Sequence, residues 1–148
     1  MITMLEATYA VHLLFAGLWA GGVAFVTYGV LPSARNGTLE PGPLGTAFDR
    51  LTTLSRASAV VLLLSGGHMA GQVYTAESLT GTTNGYLVLT MVALWLALAA
   101  LVEVGAARIR DGIDAKKVRE PARSATRIYQ VATVAGVALL LIGGVLSV

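Results

Sequence analysis

The chain holds two histidines, His12 and His68, and no cysteine. Imidazole is therefore its chief metal-binding group: in the neutral form it offers a lone pair to an ion or a haem iron, and otherwise it hydrogen-bonds. The missing thiols remove disulfides, iron–sulfur clusters, thiolate zinc sites and cysteine nucleophiles together. Both histidines fall inside long apolar runs, where an ionisable side chain is costly and requires a partner. Counting along each run puts His12 about 7 Å and His68 roughly 9 Å from the same membrane face, at 1.5 Å per residue. Two antiparallel helices would thus carry both imidazoles to one level near the outer surface. The plainer reading of either histidine alone is a hydrogen bond to a neighbouring helix, worth about 0.6–2 kcal/mol. The depth-matched pair favours a shared site for a metal ion or haem.

The neighbours of each histidine qualify that reading. His12, Phe15, Ala16, Trp19 and Val23 share one helical face, so Phe15 and Trp19 could flank a ring system, although such a stripe is more often packing. Val61, Leu64, His68, Gln72 and Thr75 share the other, and Gln72 could bond the second ring nitrogen or a haem propionate. Met69 points about 100° away from His68 and is a poor second ligand. Gly17-xxx-Gly21 and Gly67-xxx-Gly71 are small-residue patterns that admit close helix approach; they read as helix-packing or homodimer seams. Glu103 and Arg127 stand at one membrane edge and read as an interfacial ion pair. No phosphate loop, nucleophile–base pair or buried carboxylate pair is visible, which removes hydrolytic chemistry.

The elements that must position these residues follow from composition. With 55% hydrophobic and 12% charged residues and a mean hydropathy of +0.74, the solvent is a lipid bilayer. A crossing needs about 20 apolar residues, and residues 7–31, 57–74, 86–106 and 128–148 qualify. The reading is all-α: a single membrane domain over 1–148, an integral four-helix bundle in the plasma membrane. The first run has no basic leader and is long for a signal segment, so it is expected to stay as a helix. Pro32, Gly37, Pro41 and Gly42 are expected to stop it, with helix resuming near Thr46. Residues 76–85 read as a solvated turn and 107–126 as a charged linker broken at Pro121. Every Lys and Arg lies within residues 32–56 or 107–127, which the positive-inside rule makes cytoplasmic and both termini outer, N-out and C-out. The basic residues thus report topology, and nucleic acid is not an expected partner.

The segment Tyr9-Ala-Val-His-Leu-Leu-Phe-Ala-Gly-Leu-Trp-Ala-Gly-Gly resembles the first helix of the CopD-type membrane family, and more distantly that of the HemJ-type protoporphyrinogen oxidases. The likeness continues through 56–71, through Gly85-Tyr86-Leu87-Val88-Leu89 and through Arg123-Ser124-Ala125-Thr126. It implies a four-helix unit tied to copper uptake or tolerance, or to a b-type haem, and carries His12 over by position. The relatives often have a Lys in the third helix where this chain has Thr90, which speaks against protoporphyrinogen oxidation.

Three readings follow. The first is haem b held by His12 and His68, with Trp19 and Gln72 beside it, serving electron transfer as part of a membrane oxidoreductase. It needs the two histidine helices farther apart than the usual 8–10 Å. The alternative is a copper-handling protein in which His12 and His68 ligate the ion, with Met4 or Met69 completing the site; no inward polar path is evident. The third is a structural subunit packing into a larger membrane complex through its glycine seams.

Overall fold

The structure, a computed structural model, describes residues 1–148 and is helical throughout. Helix α1, Met4–Phe25, begins at a capping box: the Thr3 hydroxyl accepts the Glu6 N–H while the Glu6 carboxylate accepts the Thr3 N–H. Both bonds satisfy N–H groups that a helix start leaves free. The rod continues through a π turn, Val26–Val30, into α2, Leu31–Arg35. The sequence places a stop at Pro32, but Pro32 sits in the first turn of α2, where its missing N–H costs little. The rod ends instead at Asn36 and Gly37, whose φ of +74° suits glycine.

The π turn has a packing cause. Buried positions are Trp19 and Val23 before it, Val26 and Thr27 within it, and Leu31 and Ala34 after it, so one extra residue re-aims the later face at the core. Thr27 anchors the shift: its hydroxyl donates to the Val23 carbonyl at 2.7 Å and lies 3.0 Å from the Thr133 hydroxyl.

Helix α3, Pro41–Val73, starts earlier than the sequence indicates, because Pro41 and Pro43 occupy its first turn. The expected turn over 76–85 contains a short helix, α4, Ala76–Gly81, capped by Thr75 and Ser78. Helix α5, Thr83–Asp114, and α6, Arg119–Leu146, take up most of the supposed charged linker. Pro121 is not a break: it lies in the first turn of α6 and packs against Gly112, where a side chain would collide with its ring.

Helix α1 packs on α3 and α6, and α5 packs on the same two. Small residues Ala122, Ala125, Ala132 and Gly136 let α6 approach closely. Into that surface fits Tyr129, whose ring fills the space left by Gly105, meets Phe48 edge-on at 5.3 Å, and donates its hydroxyl to the Val102 carbonyl at 2.9 Å. The outward faces are apolar instead, with Leu14, Phe25, Val60, Leu64, Leu96, Val134 and Leu141 all exposed. A contiguous apolar exterior of that kind belongs in hydrocarbon.

Three helices, Met4–Arg35, Thr83–Asp114 and Arg119–Leu146, are long and apolar enough to cross a membrane, and the chain is a multi-pass membrane protein. Helix α3 is as long, but it carries Ser55, Arg56, Ser58, Ser65, His68 and Gln72, which dilute its apolar character. Gly17, Gly21, Gly67 and Gly71 meet nothing within 4 Å. They are not seams inside this chain, and the close approaches fall at Gly22, Gly66, Gly105, Gly112 and Gly136 instead.

Candidate functional site

Apart from the Thr27–Thr133 contact with α6, the buried polar side chains lie on α3, and two of them bond α1. Buried positions of α3 step through Thr52, Ser55, Ser58, Leu62 and Ser65, so one helical face presents a line of hydroxyls to α1. At its lower part the Trp19 indole N–H donates to Ser55 Oγ at 2.9 Å. At its upper part His12 Nδ1 lies 2.7 Å from Ser65 Oγ. Between them Ser58 Oγ is fully buried with no hydrogen-bond partner, an arrangement native interiors seldom leave unexplained.

The Ser65 bond points to which nitrogen of His12 is available. Ser65 Oγ donates to the Val61 carbonyl at 2.6 Å, so towards His12 it acts as acceptor and Nδ1 carries the proton. The hydrogen-bond network thereby assigns a free lone pair to Nε2. A ligating histidine is held in the same way, by a partner on its other nitrogen. Gly66 makes room for the ring, since a Cβ there would stand 3.1 Å from His12 Cε1.

His68 lies three residues beyond Ser65 and is exposed. It lines an open groove of about 470 Å³ together with Met4, Thr8, Val11, Val61, Leu64 and Ser65. Ser65 therefore touches both places, bonding His12 on one side and bordering the groove on the other. Because His12 stands opposite Ser65, His68 sits about 4.5 Å nearer the helix ends, close to the level of Thr8, with Met4 a further turn outward. The imidazoles are stepped along the seam by a helical turn rather than opposed, and no hydrogen bond joins them. Counts of about five and six residues from the span ends do not carry this offset, since they ignore where the helices cross.

The remaining residues of the sequence reading separate. Trp19 is buried in the core with its N–H on Ser55, so it packs rather than flanking a bound ring. Gln72 is exposed, does not line the groove that Met4 and His68 share, and bonds neither histidine. Met4, not Met69, shares the groove with His68. Glu103 pairs with Arg56 rather than Arg127, through a fork of 2.7 and 3.0 Å that ties α5 to α3; Arg127 lies on α6, away from it.

The geometry lends no support to a porphyrin held by both His12 and His68. Helices α1 and α3 are direct neighbours, joined by the Trp19–Ser55 and His12–Ser65 bonds, and a bis-histidine haem would need them apart. A single ion suits adjacent helices. The donors here are two imidazoles and the thioether of Met4, without any cluster of three His, Cys, Asp or Glu residues. Nitrogen and thioether donors favour soft or borderline metals over magnesium or calcium.

Residues 45–146 match the family model described as copper resistance protein D. No curated protein and no solved structure matches the chain. The matched stretch includes His68, the hydroxyl line of α3 and the segments 56–71, 85–89 and 123–126 that carry the family likeness. It begins beyond His12, and the likeness to the HemJ-type oxidases is not shown by it.

Proposed function

Because this chain belongs to the copper resistance protein D family, we propose that it handles copper ions as cargo in the cytoplasmic membrane, admitting them at the outer end of the α1–α3 seam. The family match carries this reading, and it favours copper over haem. The donor set supports it. Met4 and His68 border the open groove, where a soft ion arriving from outside can exchange its ligands for a thioether and an imidazole. One turn deeper, His12 presents Nε2 while Ser65 holds its other nitrogen. The ion is first caught at Met4 and His68 and then passed to His12, with Ser65 between the two stations. Below, Ser58 and Ser55 continue the polar face inward and give the path that the sequence alone does not reveal.

In this reading α3 is the fourth crossing despite its serines, since it runs beside α1 and α5 and contacts both. The assembly is then a four-helix bundle with both termini outside and its basic loops inside. Cells producing the chain should accumulate more copper than control cells. The His12→Ala and His68→Ala variants, present at equal abundance, should lose that gain. Accumulation indistinguishable from the control would refute copper uptake.

A further inference from the structure

At the opposite end of the molecule, Arg35, Arg123, Thr126, Arg127 and Gln130 line a pocket of about 260 Å³. Three guanidiniums from two separate segments converge there, and no acidic side chain borders it. Both ion pairs of the chain lie elsewhere, Arg56 with Glu103 and Lys117 with Glu120. None of the three arginines donates to any protein acceptor, and Gln130 is likewise unengaged. The Thr126 hydroxyl is committed to the Ala122 carbonyl at 2.7 Å.

The fold assembles this cluster deliberately. Arg123, Arg127 and Gln130 recur at i, i+4 and i+7 on one face of α6. Arg35 reaches them because the π turn shifts everything after Thr27 by one residue, about 100° around the helix axis. In an uninterrupted α-helix Arg35 would face another direction. Thr27, bonded near Thr133, and the packing of α2 on α6 hold the shifted segment in place. Nearby, the Arg119 guanidinium lies over Gly37, which leaves space for it by lacking a side chain. Like charges gathered without a counter-charge repel one another, and an anion placed among them reverses the sign of that interaction.

We propose that this pocket binds a phosphate group, supplied by the headgroup of an anionic phospholipid in the leaflet that faces the basic loops. Planar guanidiniums match phosphate oxygens in paired hydrogen bonds. The pocket opens where α2 ends and α6 begins its apolar run, at headgroup level, and basic pockets between membrane helices hold such headgroups. Arg35 and Arg127 grip the phosphate oxygens, Arg123 adds charge, and the Gln130 amide donates to a headgroup oxygen.

Native mass spectrometry of the full chain in detergent, titrated separately with phosphatidylglycerol, phosphatidylcholine and inorganic phosphate, tests this. The wild type should retain one phosphatidylglycerol selectively over phosphatidylcholine. Arg35→Gln and Arg127→Gln should each weaken that binding about tenfold, as expected for loss of a charge-assisted bond. Arg110→Gln and Lys116→Gln, basic changes outside the pocket, should leave it unaltered. Equal weakening by all four variants would reduce the effect to diffuse surface charge and overturn the site. Arginine-dependent binding of inorganic phosphate with indifference to phosphatidylglycerol would overturn the lipid as its source. Circular dichroism of each variant separates lost binding from lost fold.

Discussion

Ser65 is the residue on which the proposed cargo site turns. Its hydroxyl donates a hydrogen bond to the Val61 carbonyl and accepts one from His12, an arrangement that holds both the tautomer and the tilt of that imidazole. Ser65→Ala should lower copper affinity ten- to a hundredfold, the usual cost of removing a ligand's outer partner, without unfolding the chain. Ser65→Thr keeps the hydroxyl and should retain most of the affinity; competition with a copper(I) chelator reads both. Ser58 behaves differently. Its buried hydroxyl lacks a partner, so Ser58→Ala should leave thermal stability unchanged or raise it by about 1 kcal/mol. Slower copper accumulation in a Ser58→Ala protein of undiminished stability would mark the hydroxyl as part of the inward path. The sequence exposes the histidines because an imidazole in an apolar run is conspicuous. It hides the serines, which look like ordinary helix glue until Ser55, Ser58 and Ser65 are seen to share the buried face of α3. Trp19 shows the converse: its spacing from His12 suits flanking a ring or packing alike, and the structure adds that its indole N–H donates to Ser55.

At the scale of elements, glycine spacing and glycine function part company. The Gly-xxx-Gly pairs at 17/21 and 67/71 are legible in the sequence, yet they contact nothing in this chain, whereas Gly105 and Gly112 receive Tyr129 and Pro121 without any motif to announce them. Gly105→Ala and Gly112→Ala should each destabilise the α5–α6 pair by about 1–3 kcal/mol through overpacking. Gly17→Ala and Gly71→Ala should be near neutral in the same thermal-shift measurement. The π turn is equally invisible beforehand, since Val26–Val30 reads as uninterrupted apolar helix and only the competing demands of Val26 and Thr27 for burial reveal it. The link between α3 and α5 is an ion pair the sequence misassigned: proximity to the same membrane edge suggests Arg127 for Glu103, but Arg56 lies on the adjoining helix. An Arg56→Gln and Glu103→Gln double-mutant cycle should give a coupling of about 0.5–1 kcal/mol, and zero coupling would show the fork to be incidental.

For the whole molecule, charge placement and apolar length made the membrane character and three of the spans readable, while α3, the crossing proposed above, falls short in apolar character because it carries the polar face. The absence of cysteine makes topology straightforward to test. Single cysteines at Thr82 and Ser147 should react with an impermeant maleimide in intact cells, and one at Ala115 only after permeabilisation. The pattern with α3 looping back on one side would place Ala115 and Ser147 differently. The family match favours copper over haem, and neighbouring histidine helices suit one ion better than a porphyrin. The most direct test is a copper(I) titration of the purified chain in lipid nanodiscs, with metal content and absorption recorded together. The account predicts a colourless protein that binds copper, with affinity about tenfold or more weaker in Met4→Leu, His12→Ala and His68→Ala. Copper binding untouched by all three substitutions, or a Soret band that disappears with His12→Ala, would contradict it.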